Sequence, residues 1–292
     1  MTQADWTETE RVARSNLFDF TCYTYPSYAG NWHHRLICSY LDRFVAGEIT
    51  RLMIFAPPRS GKSELVSRRL PAYILGKYPD TTIIATSYGA DLARRMNRDV
   101  QRIMDDDAYR RLFPGSRLFG SNVRTVAQGS WLRNSDMFEV VGRRGYYLST
   151  GVGGSVTGSG AHVAIIDDPV KNRKEANSPT YRETVFDWYT STLYTRLTPD
   201  GQVLLTVTRW HEDDLAGRLL ALAKSDPESD QWVTLILPAV SEDPIAPYDE
   251  RRMAGKALWA TRWGIDKLHT IKRTVGERDW ASLYQQRPAP DE

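Results

Sequence analysis

Cysteine is scarce: Cys22 and Cys38 are the only two in 292 residues. That excludes a disulfide framework and a four-cysteine zinc site, and it fits a reducing compartment. Long apolar runs are missing too. No stretch approaches the ~20 residues needed to cross a bilayer, and the polar segment from Met1 to Asn16 lacks a signal-peptide core. The chain therefore reads as soluble and cytoplasmic, with no membrane partner. Neither sign of charge dominates, since 38 basic and 36 acidic side chains leave a net +2. A uniformly basic nucleic-acid coat is excluded, whereas a local basic face is not. Repeats and low-complexity tracts are absent, which argues against solenoids and disordered tails. A chain of this length buries a large core unaided, as one large domain or a domain with a small appendage.

What is present is an alternation of short apolar runs with amphipathic stretches. Residues 1–50 read as mostly helical. Strands are expected at Leu52–Phe55, Thr82–Thr86, Val163–Ile166, Val203–Thr208 and Val233–Leu237. Helices are expected from Lys62 to about Lys77, after Tyr88, after Ser178-Pro179, and from Glu212 to Lys224. Residues 115–160, rich in Gly and Ser, read as hairpins and loops. Strands alternating with helices imply right-handed crossovers and a mainly parallel sheet. Segments rich in Pro, Trp and Arg follow Pro238. The expected organisation is a helical segment over 1–50, an α/β core over 51–238 and a lid or linker subdomain over 239–292.

Between the first strand and the first long helix stands Ala56-Pro57-Pro58-Arg59-Ser60-Gly61-Lys62-Ser63. A triphosphate needs backbone N–H donors, a mobile cation and a magnesium ligand in one small space, and a loop at a helix amino end supplies them. Ser60 and Gly61 place backbone N–H groups near the phosphates, Lys62 reaches the β- and γ-phosphates, and Ser63 holds Mg²⁺. The usual first glycine is replaced by Ala56. Arg59 is either a helix-cap arginine or a contact to the γ-phosphate. ATP with Mg²⁺ is the implied ligand pair.

Such a site also needs carboxylates at the end of another strand. Asp167 and Asp168 follow the apolar Val163–Ile166 run, with Asp167 on the magnesium side and Asp168 as the base for the attacking water. The alternative is a turn started by Asp168-Pro169, with Glu175 and Glu183 as fallback bases. Thr206 and Thr208 end a further strand, where hydroxyls would sense the γ-phosphate or simply suit a strand. Arg95, Arg98 and Arg102 recur at three- and four-residue steps on one helix face. They form either a stripe for DNA phosphates or an ordinary solvated face.

Four ordered motifs carry a family resemblance: Ala56–Ser63, Ile165–Lys171, Thr208–Leu219 and Trp280–Pro288. Over about Trp32 to Pro288 the chain resembles the large terminase subunit of tailed bacteriophages. The resemblance implies a RecA-like, additional-strand P-loop ATPase that drives double-stranded DNA into a procapsid. It also implies a ring on the portal protein, a small terminase subunit as partner, and action in the host cytoplasm rather than in the mature virion. Relatives carry an RNase H-like nuclease domain after the point where this chain stops, so the ATPase portion alone, without nuclease activity, is expected. Many relatives place Glu where this chain has Asp168. Trp32-His33-His34 stands at about the distance of the adenine-holding segment of similar ATPases, which makes His33 and His34 candidate base contacts or ordinary histidines. The Gly158–Gly160 loop lacks an arginine, so Arg143 or Arg144 is the candidate finger acting in trans. The competing readings are a superfamily-2-like helicase, which lacks its second RecA-like domain here, and a nucleotide-gated assembly protein.

Overall fold

The computed structural model describes residues 6–120, 123–124, 131–156, 158–242 and 254–288. The apolar runs become strands of a seven-stranded sheet: β1 (Arg51–Phe55), β2 (Thr82–Ser87), β3 (Met137–Glu139), β4 (Tyr146–Gly151), β5 (Ala161–Asp167), β6 (Leu197–Val207) and β7 (Val233–Ile236). Their order across the sheet is β3-β4-β2-β5-β6-β1-β7. Every neighbouring pair is parallel except the β3–β4 hairpin at one edge. Strand β6 thus lies between β1 and β5. This is the additional-strand arrangement, and it brings three carboxyl ends side by side.

Period-two alternation explains why the central strands are apolar throughout. Leu52 and Ile54 of β1 belong to the core on one face of the sheet, and Met53 and Phe55 to the core on the other. In β5, Val163 and Ile165 face the first core, Ala164 and Ile166 the second. A parallel strand covered on both faces has no polar side to show.

Three helices precede the sheet: α1 (Glu8–Ser15), α2 (Leu17–Thr24) and α3 (Trp32–Val45). Phe20 and Phe44 of these helices lie in the same core as Leu52 and Ile165. After the P-loop comes α4 (Lys62–Glu64), then a π-helical turn over Leu65–Arg69, then α5 (Leu70–Lys77). The sequence reading expected one regular helix here. Pro71 is the physical reason for the difference: it has no N–H to give Ser67, and its ring crowds that carbonyl. A widened turn relieves both, and Leu70 N–H bonds Leu65 O five residues back.

Further along lie α6 (Ala90–Asp105), α7 (Asp107–Leu112), α8 (Arg173–Ala176), α9 (Pro179–Trp188), α10 (Leu215–Ser225) and α11 (Ile265–Asp279). Ser178 caps α9 with Pro179 in its first turn, as the sequence implied. Helix α10 starts later than Glu212 because Asp214 is its cap, accepting from Gly217 N–H. The 115–160 region holds the expected hairpin, yet β4 also joins the main sheet in parallel with β2, which was not expected. Ala239, Ala257, Leu268 and Trp280 form a small separate core in the C-terminal segment. No described helix is long and apolar enough to cross a membrane.

Candidate nucleotide site

The loop from Ala56 leaves the carboxyl end of β1 and enters α4. Gly61 sits at φ 92°, and a Cβ there would lie 2.5 Å from His34 Nε2, so both conformation and space demand glycine. The crowding has a cause. His33 and His34 are fully buried beneath the loop, with their Nε2 atoms 2.9 and 2.8 Å from the Ser60 carbonyl oxygen. Asn31 N–H donates to His34 Nδ1 at 3.0 Å, so His34 carries its proton on Nε2 and donates it to Ser60. Burial pushes the His34 pKa down to about 4, which keeps that neutral donor in place. Both rings, candidate adenine contacts by sequence, thus hold the Ala56–Ser63 loop from behind in this structure.

Lys62 is buried at the start of α4. Its Nζ donates to Asp168 Oδ2 and to Thr208 Oγ1, both at 2.7 Å. Asp168 also accepts Thr208 N–H through Oδ1 at 2.6 Å. Its backbone is left-handed, with φ 48°, and is pinned by Asp168 N–H to Thr206 O at 2.9 Å and Tyr88 N–H to Asp168 O at 3.1 Å. A non-glycine residue held there spends conformational energy to place its carboxylate. The P-loop lysine, the second aspartate and the strand-end threonine therefore converge.

Asp167, the last residue of β5, is buried, with Oδ2 accepting from Ser67 Oγ at 2.6 Å. Among the described residues its Oδ1 has no partner; the same holds for the buried hydroxyls of Ser60 and Thr206. Burial, then the charge of Asp168, raise the Asp167 pKa, while Lys62, Ser67 and Ser63 pull it down. An unpartnered carboxylate oxygen beside a hydroxyl on the first turn of α4 fits Mg²⁺, which takes few protein ligands and completes its shell with phosphate and water. Among the described residues there is no cluster of three or more His, Cys, Asp or Glu side chains that could hold a metal ion.

Lys62, Ser63, Asp168 and Thr208 line a cleft of about 620 Å³. Arg59, Lys62, Arg68, Lys171 and Arg262 border it, against the acids Glu64 and Asp168. That excess of cations suits a polyanion. Arg59, with φ 58°, borders the cleft rather than capping a helix. Sequence reasoning missed Ser67, Arg68, Lys171 and Arg262. Ser67 stood one turn beyond Ser63 on the same helix face, and Lys171 lay within a quoted motif. Nothing local marked Arg262.

The remaining candidates lie elsewhere. Arg143 and Arg144 occupy the β3–β4 turn, where Arg143 pairs with Asp80 at 3.9 Å and Arg144 N–H donates to Asp80. That turn is at the amino ends of β2 and β4, across the sheet from the P-loop, so these arginines do not reach their own chain's cleft. Glu175 accepts from Lys171 N–H and Glu183 pairs with Arg218; neither borders the cleft. Arg95, Arg98 and Arg102 share the exposed face of α6, and Arg102 pairs with Asp99 at 2.8 Å.

Fold and cleft together define a P-loop α/β protein of the additional-strand type. Residues 53–264, more than half of the chain, match the family described as "Terminase large subunit, T4likevirus-type, N-terminal", and the chain belongs to that family. Among solved structures it is similar to the large terminase of bacteriophage HK97, with 12% identity and a TM-score of 0.49 over 85% of this chain and 50% of that one. It is also similar to the large terminase of a thermophilic bacteriophage in complex with ADP, with 9% identity and a TM-score of 0.45 over 95% of this chain and 52% of that one. The chain spans about half the length of either structure. No curated protein matches it in sequence.

Proposed function

We propose that this chain is the ATP-hydrolysing motor part of a genome-packaging terminase, driving double-stranded DNA into a procapsid. The observation that carries this reading is the meeting of Lys62, Asp168 and Thr208 beside Asp167, from three adjacent strand ends, in one cationic cleft. Arriving β- and γ-phosphates offer Lys62 Nζ a stronger anionic partner than Asp168. Lys62 then leaves the carboxylate, and Asp168 Oδ2 becomes the acceptor for the proton of the attacking water. The water oxygen bonds the γ-phosphorus, the bond to the β–γ bridging oxygen breaks, and ADP leaves with that electron pair. The chemistry Mg²⁺ supplies when bound is charge neutralisation on the β- and γ-oxygens, and Ser63 and Asp167 would hold it. Thr208, bonded to Lys62 and through its N–H to Asp168, is placed to report the departure of phosphate along β6.

In this reading the partners are duplex DNA, further copies of the chain in a ring, the portal protein and a small terminase subunit, meeting in the host cytoplasm. Residues 1–50, 51–238 and 239–292 would act as helical support, ATPase core and lid. Duplex DNA added to the assembled chain separates a motor from the alternatives. A motor raises its phosphate release with DNA length and does not separate strands. Turnover indifferent to DNA would favour a nucleotide-gated assembly protein, and strand separation a helicase.

A further inference from the structure

One carboxylate joins the phosphate cleft to the exposed face of α6. Ser67 of the π turn bonds Asp167, and the next residue, Arg68, borders the cleft while reaching α6. Arg68 Nε donates to Asp99 Oδ2 at 2.8 Å, and Glu64 is a looser partner at 3.7 Å. The other oxygen of Asp99 is taken by Arg102, whose Nη1 donates to Oδ1 at 2.8 Å. The Arg68 and Asp99 side chains are 23% and 24% exposed, whereas Arg102 is 74% exposed. The inner pair is thus partly shielded from water, and the outer arginine stands in it beside the exposed Arg95 and Arg98. None of the large exposed hydrophobic side chains among the described residues lies on α6. That face offers charge without an apolar anchor, which suits a sugar-phosphate backbone better than a protein surface.

We infer that Asp99 is a positioning residue that sets two anion sites against each other: polyphosphate in the cleft, through Arg68, and the duplex DNA backbone on α6, through Arg102. The inference rests on the phosphate-site reading above. A carboxylate shared by two cations holds each less tightly than it would hold one alone, because each cation offsets part of its charge. Phosphate oxygens accept paired N–H bonds from a guanidinium, so a nucleotide in the cleft draws Arg68 away from Asp99. Asp99 then has only Arg102 to neutralise it, and it holds that side chain back from DNA. The converse follows by reciprocity. DNA that draws Arg102 away leaves Asp99 to Arg68 and loosens the polyphosphate by the same factor. For ion pairs this open to solvent, that factor is about twofold to fivefold.

The test measures affinity for a short duplex DNA across a salt series, with and without the β,γ-imido analogue of ATP and Mg²⁺. The proteins are the unmutated chain, Asp99→Asn and Arg68→Gln. In the unmutated chain the analogue is expected to weaken DNA binding by about twofold to fivefold. Asp99→Asn, with both arginines released, is expected to bind each ligand more tightly and to lose the antagonism. Its slope of log K against log salt is expected to steepen by about one, for one more phosphate contact. A residue that merely fastened α6 would weaken both ligands when lost. Arg68→Gln leaves Asp99 to Arg102, so its DNA affinity without the analogue is expected to sit already at the lower level. DNA affinity indifferent to the analogue in the unmutated chain, or antagonism that persists in Asp99→Asn, overturns the inference. If Asp99→Asn binds neither ligand, Arg68→Gln decides: DNA affinity equal to that of the unmutated chain overturns it. An unmutated chain that binds the analogue but not DNA overturns the inference alone. One that binds DNA but not the analogue overturns the phosphate-site reading and takes the inference with it.

Discussion

At the residue scale, the groups that converge on the cleft were those whose meaning is local. Lys62 and Ser63 follow a strand and open a helix, Asp167 ends β5, and Asp168 and Thr208 come directly after strands, so their neighbours in sequence already place them at the sheet's carboxyl edge. His33 and His34 were ambiguous because a ring that faces a base and a ring buried under a loop look alike until the tertiary packing is known. Their burial yields a prediction. His34 binds its proton only near pH 4 in the folded chain, against about 6.5 unfolded, so the stabilisation from its neutral form is complete above pH 6.5. It is lost as pH falls through 4, at a cost of about 3 kcal/mol. Urea unfolding across that range is expected to show this loss in the unmutated chain and a flatter profile in His34→Gln. Parallel profiles for the two proteins would remove His34 from the account.

At the element scale, the strands and their parallel packing were legible because continuous apolar runs admit few alternatives. The position of β6 between β1 and β5 was not readable from the strands themselves. Strand order depends on crossovers that leave no mark in local sequence, and it entered only through the family resemblance. The π turn was likewise hidden, although Pro71 was in view, and it is what sets Ser67 against Asp167. Ser67→Ala is expected to weaken Mg²⁺-dependent ATP binding by about tenfold with a stability loss of only about 1 kcal/mol. Ser67→Thr, which keeps the hydroxyl, is expected to retain binding, and equal losses in both would reduce Ser67 to packing. On α6, replacing Arg95, Arg98 and Arg102 together by Gln is expected to weaken duplex DNA binding. The slope of log K against log salt would fall by about 2 to 3, as three phosphate contacts predict. An unchanged slope assigns that face to solvent.

At the scale of the whole molecule, the two ends of the sheet carry different groups. The carboxyl ends carry the cleft, and the amino ends carry Arg143 and Arg144 on an exposed hairpin turn, where only another subunit would bring them to a phosphate. The central claim concerns the carboxyl ends: that Lys62, Asp167 and Asp168 form a hydrolytic centre for Mg-ATP. The direct measurement is phosphate release from Mg-ATP by the chain and by Lys62→Ala, Asp167→Asn and Asp168→Asn. The account predicts release above background in the unmutated chain and a fall of at least about a hundredfold in Lys62→Ala. It further predicts weakened Mg-nucleotide binding in Asp167→Asn, and slowed hydrolysis with binding preserved in Asp168→Asn. Near-normal release by Lys62→Ala, with the fold intact, would contradict it.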